Sequence, residues 1–373
     1  MSYTSDWRSR DVRSHADPAL ARHAIGARDE RDATISRGAR TRYRDMMHVS
    51  CSRALRARLA LLALCAVAAS GCKRHGARAG HAGTAQDPFV VGVSQCNLGE
   101  PWRAQMNEDL AAAAAKHPEL RLVLKDAQND SLAQRAQVEE LVDEGVDLLV
   151  ISPKEAAPLT KPVAEAYRAG VPVIVLDRAV EGEEFTTFIG ADNRKIGREA
   201  GKWVAATLGD KGGHVVELEG LMTSTPGQER HAGFLEGLDP KAHPGVEIVF
   251  TADMQWLEPN ARREMSSALA TNPQIDVVYA HNDPGAHGAY LAAKAAGREK
   301  EMKFVGIDAL PQEGVAYVSQ GILSATFQYP TGGAEAIDTA LKILAGDKVP
   351  KEITLGSRLF TKDNVANGGE PLP

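Results

Sequence analysis

The chain has 373 residues, 43% of them apolar, with 34 Gly and 19 Pro, enough for one large or two ordinary globular domains. Its net charge of −6 hides a division: residues 1–72 carry 13 Arg against seven acids, formally +6, which leaves −12 for the rest. An acidic body argues against nucleic-acid binding, which calls for a basic patch. Of four cysteines only Cys96 lies beyond residue 72, so the body can form neither an internal disulfide nor a multi-cysteine metal site.

Residues 1–45 are rich in Arg, Asp, Ser and Ala, with no sustained apolar periodicity to offset the cost of ordering. A basic stretch with Arg53, Arg56 and Arg58 follows, then eleven apolar residues from Leu59 to Ala69, then Ala-Ser-Gly-Cys at 69–72. A basic head, a short apolar run and a small-residue processing site predict an export signal. The run is too short to span a bilayer, which takes about 20 apolar residues. The residues before Cys72 resemble the bacterial lipoprotein signal, although Ala69 stands where that signal more often has Leu. The resemblance implies lipidation at Cys72 and anchoring to a bacterial membrane in the periplasm. Met46 or Met47 would equally start a signal of ordinary length. Residues 73–87, rich in Gly, Ala, Arg and His, read as a flexible tether.

From Pro88 onward short apolar runs alternate with longer helical patterns. Strands are predicted at 89–94, 121–126, 148–152, 171–177, 186–190, 214–220, 246–251, 276–280, 303–308 and 323–327. Helices are predicted near 103–116, 131–144, 156–169, 194–208, 226–237, 259–270, 284–296 and 332–345. This spacing is that of βαβ units, and strands that are apolar throughout fit a parallel sheet covered on both faces. Ten strands exceed what one compact sheet usually carries. Two doubly wound, Rossmann-like α/β domains are therefore expected, with residues 185–193 passing between them and a ligand cleft at the carboxyl ends of the strands.

The polar residues that follow the strands form a set. Glu100, Trp102 and Arg103 come after the first strand, Asp177 and Arg178 after VPVIVL, and His281, Asn282 and Asp283 after VVYA. Asp308 ends KFVGI, Gln328 ends LSATF, Trp256 follows VEIVFT, and Arg230 lies on the helix after VVELEG. Carboxylates, amides and guanidiniums match sugar hydroxyls, each both donor and acceptor. Indole rings match the less polar C–H faces of a sugar. Asp177 and Arg178 are expected to act as mutual counterions. Taken singly, each residue has a plainer reading as a helix cap, a core aromatic or a solvated helix residue.

At these residues the chain resembles the periplasmic sugar-binding proteins of the ribose and galactose class, the type I solute-binding proteins of ABC importers. The matching pieces are VGVSQ…PWR, VPVIVLDRAV, FIGADN, VVELEG…GQERHAGF, VYAHND, KFVGIDALP and ATFQYP, in order from about Pro88 to Phe360. The SQ…WR opening and YAHND are closest to the galactofuranose-binding branch. The resemblance implies two lobes joined by a three-strand hinge: 88–191 with 329–355, and 192–328 with 356–365. It implies that Trp102 and Trp256 sandwich a monosaccharide held by Arg103, Asp177, Arg178, Arg230, Asn282, Asp308 and Gln328. Glu100 and Arg103 depart from ribose binders, which have Asn and an aromatic there, so Glu100 either contacts the ligand or orients Arg103.

The implied protein is a monomer without cofactor or metal that hands its sugar to an ABC permease and its ATPase in the inner membrane. A sugar-sensing subunit for a membrane kinase or chemoreceptor would have the same cleft. A sugar-responsive repressor would need a helix-turn-helix where this chain carries an export signal. An enzyme would need a nucleophile, metal cluster or phosphate loop that no motif supplies. His281 reads as part of the pocket wall.

Overall fold

The computed structural model describes residues 83–373; the expected export signal, Cys72 and the expected tether up to residue 82 lie outside the described residues. The end of the expected tether is a turn closed by reciprocal backbone hydrogen bonds between Thr84 and Asp87, of 3.0 and 3.1 Å. Among the described residues no helix is long and apolar enough to cross a membrane.

The first sheet is built from β1 (Phe89–Gln95), β2 (Leu120–Asp126), β3 (Leu148–Ser152), β4 (Val173–Leu176), β5 (Thr187–Ala191) and β11 (Glu352–Leu355). Its order is β11-β5-β4-β3-β1-β2, and every pairing is parallel. The helices α1 (Pro101–Ala114), α2 (Ser131–Asp143) and α3 (Ala156–Arg168) alternate with its strands along the chain. Every residue of β3 and β4 is buried, as continuous Leu, Val and Ile runs require when both faces are covered.

The second sheet holds β6 (Gly213–Glu219), β7 (Val246–Asp253), β8 (Val277–Ala280), β9 (Lys303–Asp308), β10 (Ala325–Gln328), β12 (Arg358–Thr361) and β13 (Glu370–Pro371). Its order is β13-β12-β10-β9-β8-β6-β7, with β12 and β13 joined antiparallel. Its helices are α4 (Asn193–Leu208), α5 (Thr225–Leu238), α6 (Glu258–Thr271), α7 (Asp283–Ala295) and the short α8 (Gly314–Ser319). A further helix, α9 (Gly333–Leu344), packs on α1 beside the first sheet. The chain thus passes between sheets three times, after β5, after β10 and after β11.

Without their edge strands the sheets share one order, β2-β1-β3-β4-β5 and β7-β6-β8-β9-β10. Each therefore has a switch point, β1/β3 and β6/β8, where helices diverge and a crevice opens. The likeness extends to a buried polar detail. The Val90 amide at the start of β1 donates to Asp147 at 2.7 Å, and the His214 amide at the start of β6 donates to Asp276 at 2.7 Å. Each carboxylate satisfies an amide at the head of its central strand.

The helices start on readable signals. Asp130, Asp192 and Asn282 accept hydrogen bonds from amides in the first turns of α2, α4 and α7. Proline occupies the first turn of α1, α5, α6 and α7. The strands β11 to β13 and helix α8 were not expected. β11 alternates exposed and half-buried residues at a sheet edge, so it lacks the apolar run that marks the central strands.

Candidate functional site

The carboxyl ends of both sheets open on one cavity lined by Glu100, Trp102, Arg103, Asp177, Arg178, Pro226, Arg230, Trp256, Asn282, Asp308 and Tyr329. Nine of the ten expected contact residues are here. Gln328, the tenth, lines an adjacent crevice with Gln105, Asp109 and Gln312, a crevice that shares Asp308 and Tyr329 with the cavity. Tyr329 lines the cavity instead. Strand alternation is the signal that finds it, since Tyr329 lies two residues past the buried Phe327 and shares its face.

In the first lobe the short turn after β1 places Trp102 and Arg103 in the first turn of α1. The Trp102 indole N–H donates to the Tyr329 carbonyl oxygen at 2.8 Å, which fixes its ring. Arg103 lies 3% exposed and donates to Gln95 at 3.1 Å, Ser152 at 2.9 Å and Asp177 at 2.9 Å. Ser152 also donates to Asp177 at 3.2 Å, and the Tyr329 hydroxyl donates to the Asp177 carbonyl oxygen at 3.2 Å. The expected Asp177–Arg178 pair is present but long, and Arg103 is the closer counterion. Arg178 Nε stands 3.9 Å from the carboxylate, while its Nη1 donates to the Lys154 carbonyl oxygen at 2.9 Å. Glu100 accepts from Asn97 at 2.9 Å and stands 3.6 Å from Arg103 Nε, close enough to orient it while facing the cavity.

In the second lobe Arg230 reaches in from α5. Its Nε donates to Asn193 at 2.9 Å, its Nη1 donates to the His281 carbonyl oxygen, and Asp308 lies 3.8 Å away. Asn282 works in two directions: its oxygen caps α7 at the Gly285 amide, and its amide donates to the Trp256 carbonyl oxygen, each at 2.9 Å. The helix-cap reading thus holds for Asn282 alongside its place on the cavity wall. The Trp256 ring has the Arg178 guanidinium 5.5 Å and the Arg230 guanidinium 5.3 Å from its centroid. The ring also lies against Gly220, where an added methyl would come within 2.2 Å of it. His281 does not line the cavity; its ring stands 6.4 Å from that of Trp256 and hydrogen-bonds to Glu217.

Three cavity residues have backbones that side chains rarely adopt: Asp177 at φ +68°, Trp256 at +69° and Asp308 at +128°. Such conformations cost about 1–3 kcal/mol each and persist where the surroundings hold them. Burial drives the Asp308 carboxyl well above its ordinary range; nearby Arg230 opposes the rise and Asp283 adds to it. Burial also pushes Asp283 up to about 7, against hydrogen bonds from Thr326 at 2.6 Å and the Ala309 amide at 2.7 Å. Three buried donors on this wall, Arg103 Nε, Arg178 Nε and Trp256 Nε1, have no hydrogen-bond partner. The wall thus offers donors from both lobes and flat rings beside them, which suits a small molecule rich in oxygen acceptors.

The periplasmic binding protein domain family matches residues 91–348. A ribose import binding protein of Bacillus subtilis is 33% identical over 276 residues, 74% of this chain and 88% of its own length. A galactofuranose-binding protein of Escherichia coli is 28% identical over 74% of this chain and 89% of its own length. Among solved structures, the fructose-binding periplasmic domain of a hybrid two-component system is 43% identical with a TM-score of 0.72, covering 75% of this chain and 93% of that one. Together with the paired sheets, the three crossings and the shared cleft, these matches show that the chain belongs to the periplasmic binding proteins, in the type I sugar-binding class.

Proposed function

We propose that this protein is the substrate-binding lipoprotein of a sugar ABC importer, which captures a monosaccharide between its lobes and delivers it to a membrane permease. The observation that carries the reading is the composition of the cavity wall. Two indoles, three guanidiniums, three carboxylates and an amide converge there from both lobes, with three donors unpartnered. Bound between them, a sugar would engage Arg103, Asp177 and Arg178 on one side and Arg230, Trp256, Asn282 and Asp308 on the other. Trp102 and Trp256 would cover its ring faces. Only the closed arrangement makes both sets of contacts, so ligand favours closure. The ribose and galactofuranose relatives support a furanose or hexose ligand and an import role. Cys72 would tether the protein to the membrane.

A sensor role is the second reading, favoured by the 43% identity to a fructose-binding domain of a hybrid two-component system. A thermal-shift screen of monosaccharides in furanose- and pyranose-forming series, including ribose, fructose and galactose, tests the ligand class. One or a few sugars should raise the melting temperature by several degrees. A flat response across the series, with no ligand co-purifying by native mass spectrometry, would remove the sugar-binding reading. Transport and sensing then separate by whether sugar-loaded protein stimulates a reconstituted permease–ATPase or a kinase.

A further inference from the structure

Behind the Trp256 wall, β6 and α5 assemble a second group of polar side chains that the sugar cleft does not use. Strand alternation puts Glu217 and Glu219 on one face of β6, and His231 of α5 faces both. His231 Nδ1 is 3.0 and 3.1 Å from the two Glu217 oxygens and 3.2 Å from Glu219 Oε1. One ligand atom from each of the three residues lies within 4.8 Å of the others. Glu217 is fully buried on a core strand, where a carboxylate is costly unless strongly partnered. His281 Nε2 supplies another contact at 3.0 Å. In register with Glu217 on β8 is Tyr279, whose buried hydroxyl has no partner.

We propose that Glu217, Glu219 and His231 form a divalent transition-metal site of the zinc class, built into the wall of the sugar cleft. One imidazole and two carboxylates are donors that zinc accepts, and the nitrogen selects against calcium and magnesium, which take oxygen. Zinc bonds of about 2.0–2.2 Å in a tetrahedron set ligand atoms about 3.3–3.6 Å apart. The His231–carboxylate separations of 3.0–3.2 Å, with all three ligand atoms within 4.8 Å of one another, reach that range with side-chain shifts. The metal takes the place of a proton shared by His231 and the carboxylates. His281 then acts from outside the ligand set, holding Glu217 in orientation.

The site has two mechanical links to the cleft. The carbonyl of His281 accepts from Arg230, and Gly220, the residue after Glu219, carries the Trp256 ring on its backbone. A metal that fixes Glu217 and Glu219 therefore fixes the floor beneath Trp256. The metal site needs these residues alone, whether or not the ligand in front is a sugar.

The test is titration of chelator-treated full-length protein with Zn²⁺ by calorimetry, and with Co²⁺ by visible absorption, beside Glu219→Gln and His231→Gln. Other histidines, including His75 and His81, can take up zinc, so the difference between proteins is the readout. Wild type should bind one equivalent more than either variant, at least tenfold more tightly at that site. It should also show tetrahedral Co²⁺ bands that both variants lose. Glu219→Gln should melt with wild type in metal-free buffer, since Gln preserves the volume of this half-buried position, and circular dichroism should show His231→Gln folded, with His281 still partnering Glu217. Equal uptake by all three proteins, or no tetrahedral Co²⁺ spectrum in wild type, overturns the proposal. A protein that binds zinc and no monosaccharide would refute the function proposed above and leave this site standing.

Discussion

Asp177 is held in the cleft most closely by Arg103, 74 residues away in sequence and 2.9 Å off, while the arginine that follows it stands 3.9 Å away. Its backbone is left-handed, φ +68°, where the chain leaves β4. Arg103 arrives from the first turn of α1 with its charge wholly inside the protein, so it needs an anionic partner there. Removing Asp177 altogether would leave that charge unpaired, so the informative substitution is Asp177→Asn, which keeps shape and one acceptor. Losing a charge-assisted hydrogen bond in a buried setting is worth about 1.5–3 kcal/mol. Calorimetry should therefore show ligand affinity about ten- to a hundredfold weaker in Asp177→Asn, with the protein still folded. Undiminished affinity for the natural ligand would remove Asp177 from the binding set. Strain of this kind leaves little trace in a sequence. The acid at the end of VPVIVLD is legible as a candidate, but neither its φ nor its distant counterion can be read from local pattern, because both depend on what α1 and β3 bring alongside.

The elements divide in the same way. Central strands were legible because burial on two faces forces continuous apolar runs, and helices because caps and prolines mark their starts. The edge strands β11 to β13 were not, since an edge needs no such run. The packing of α4 on α5 was also hidden. Methyl groups added at Gly197 and Gly201 of α4, or at Gly233 and Gly237 of α5, would stand 1.9–2.3 Å from backbone oxygens of the opposing helix. In sequence these four glycines look like helix-weakening residues, yet they allow two backbones to touch. Gly233→Ala should lower the melting temperature by several degrees despite the better helix propensity of alanine, because its methyl would meet the Arg194 carbonyl oxygen at 2.0 Å. A neutral or stabilising result would mean that the helices can separate at no cost. At the head of α7, Asp283 makes a different prediction. Its folded carboxyl titrates at about 7 and its unfolded one at about 3.9, so between those values the folded chain holds a proton that the unfolded chain has released. That contribution is full near pH 4 and is lost as pH rises toward 7. Asp283→Asn cannot ionise, so wild type should lose melting temperature relative to this variant from pH 5 to pH 7.5. Parallel melting curves over that range would show that Asp283 does not titrate there.

At the scale of the molecule, two sheets of the same strand order meet at their switch points, and each donates half a wall. Among the contacts across the gap, three are chemically specific. Arg178 of the first lobe lies over Trp256 of the second, Arg230 of the second lies 4.8 Å from the Tyr329 ring, and the Ala179 amide donates to Thr225 at 2.9 Å. Such a set can hold the lobes together without locking them, because each cation–π contact is worth only about 0.5–2 kcal/mol. In the proposed function, closure is a poised equilibrium that a bridging ligand completes. Arg178→Ala removes one of these contacts from the cleft rim while leaving the Arg103–Asp177 pair inside the first lobe intact. It should shift the closed-to-open ratio of the ligand-free protein about 2- to 30-fold toward open. Small-angle scattering would register the shift as a larger radius of gyration than wild type, with saturating ligand returning both proteins to the same compact value. If the variant scatters like wild type without ligand, the Arg178–Trp256 contact does not hold the lobes together, and Arg178 acts on the ligand rather than on closure.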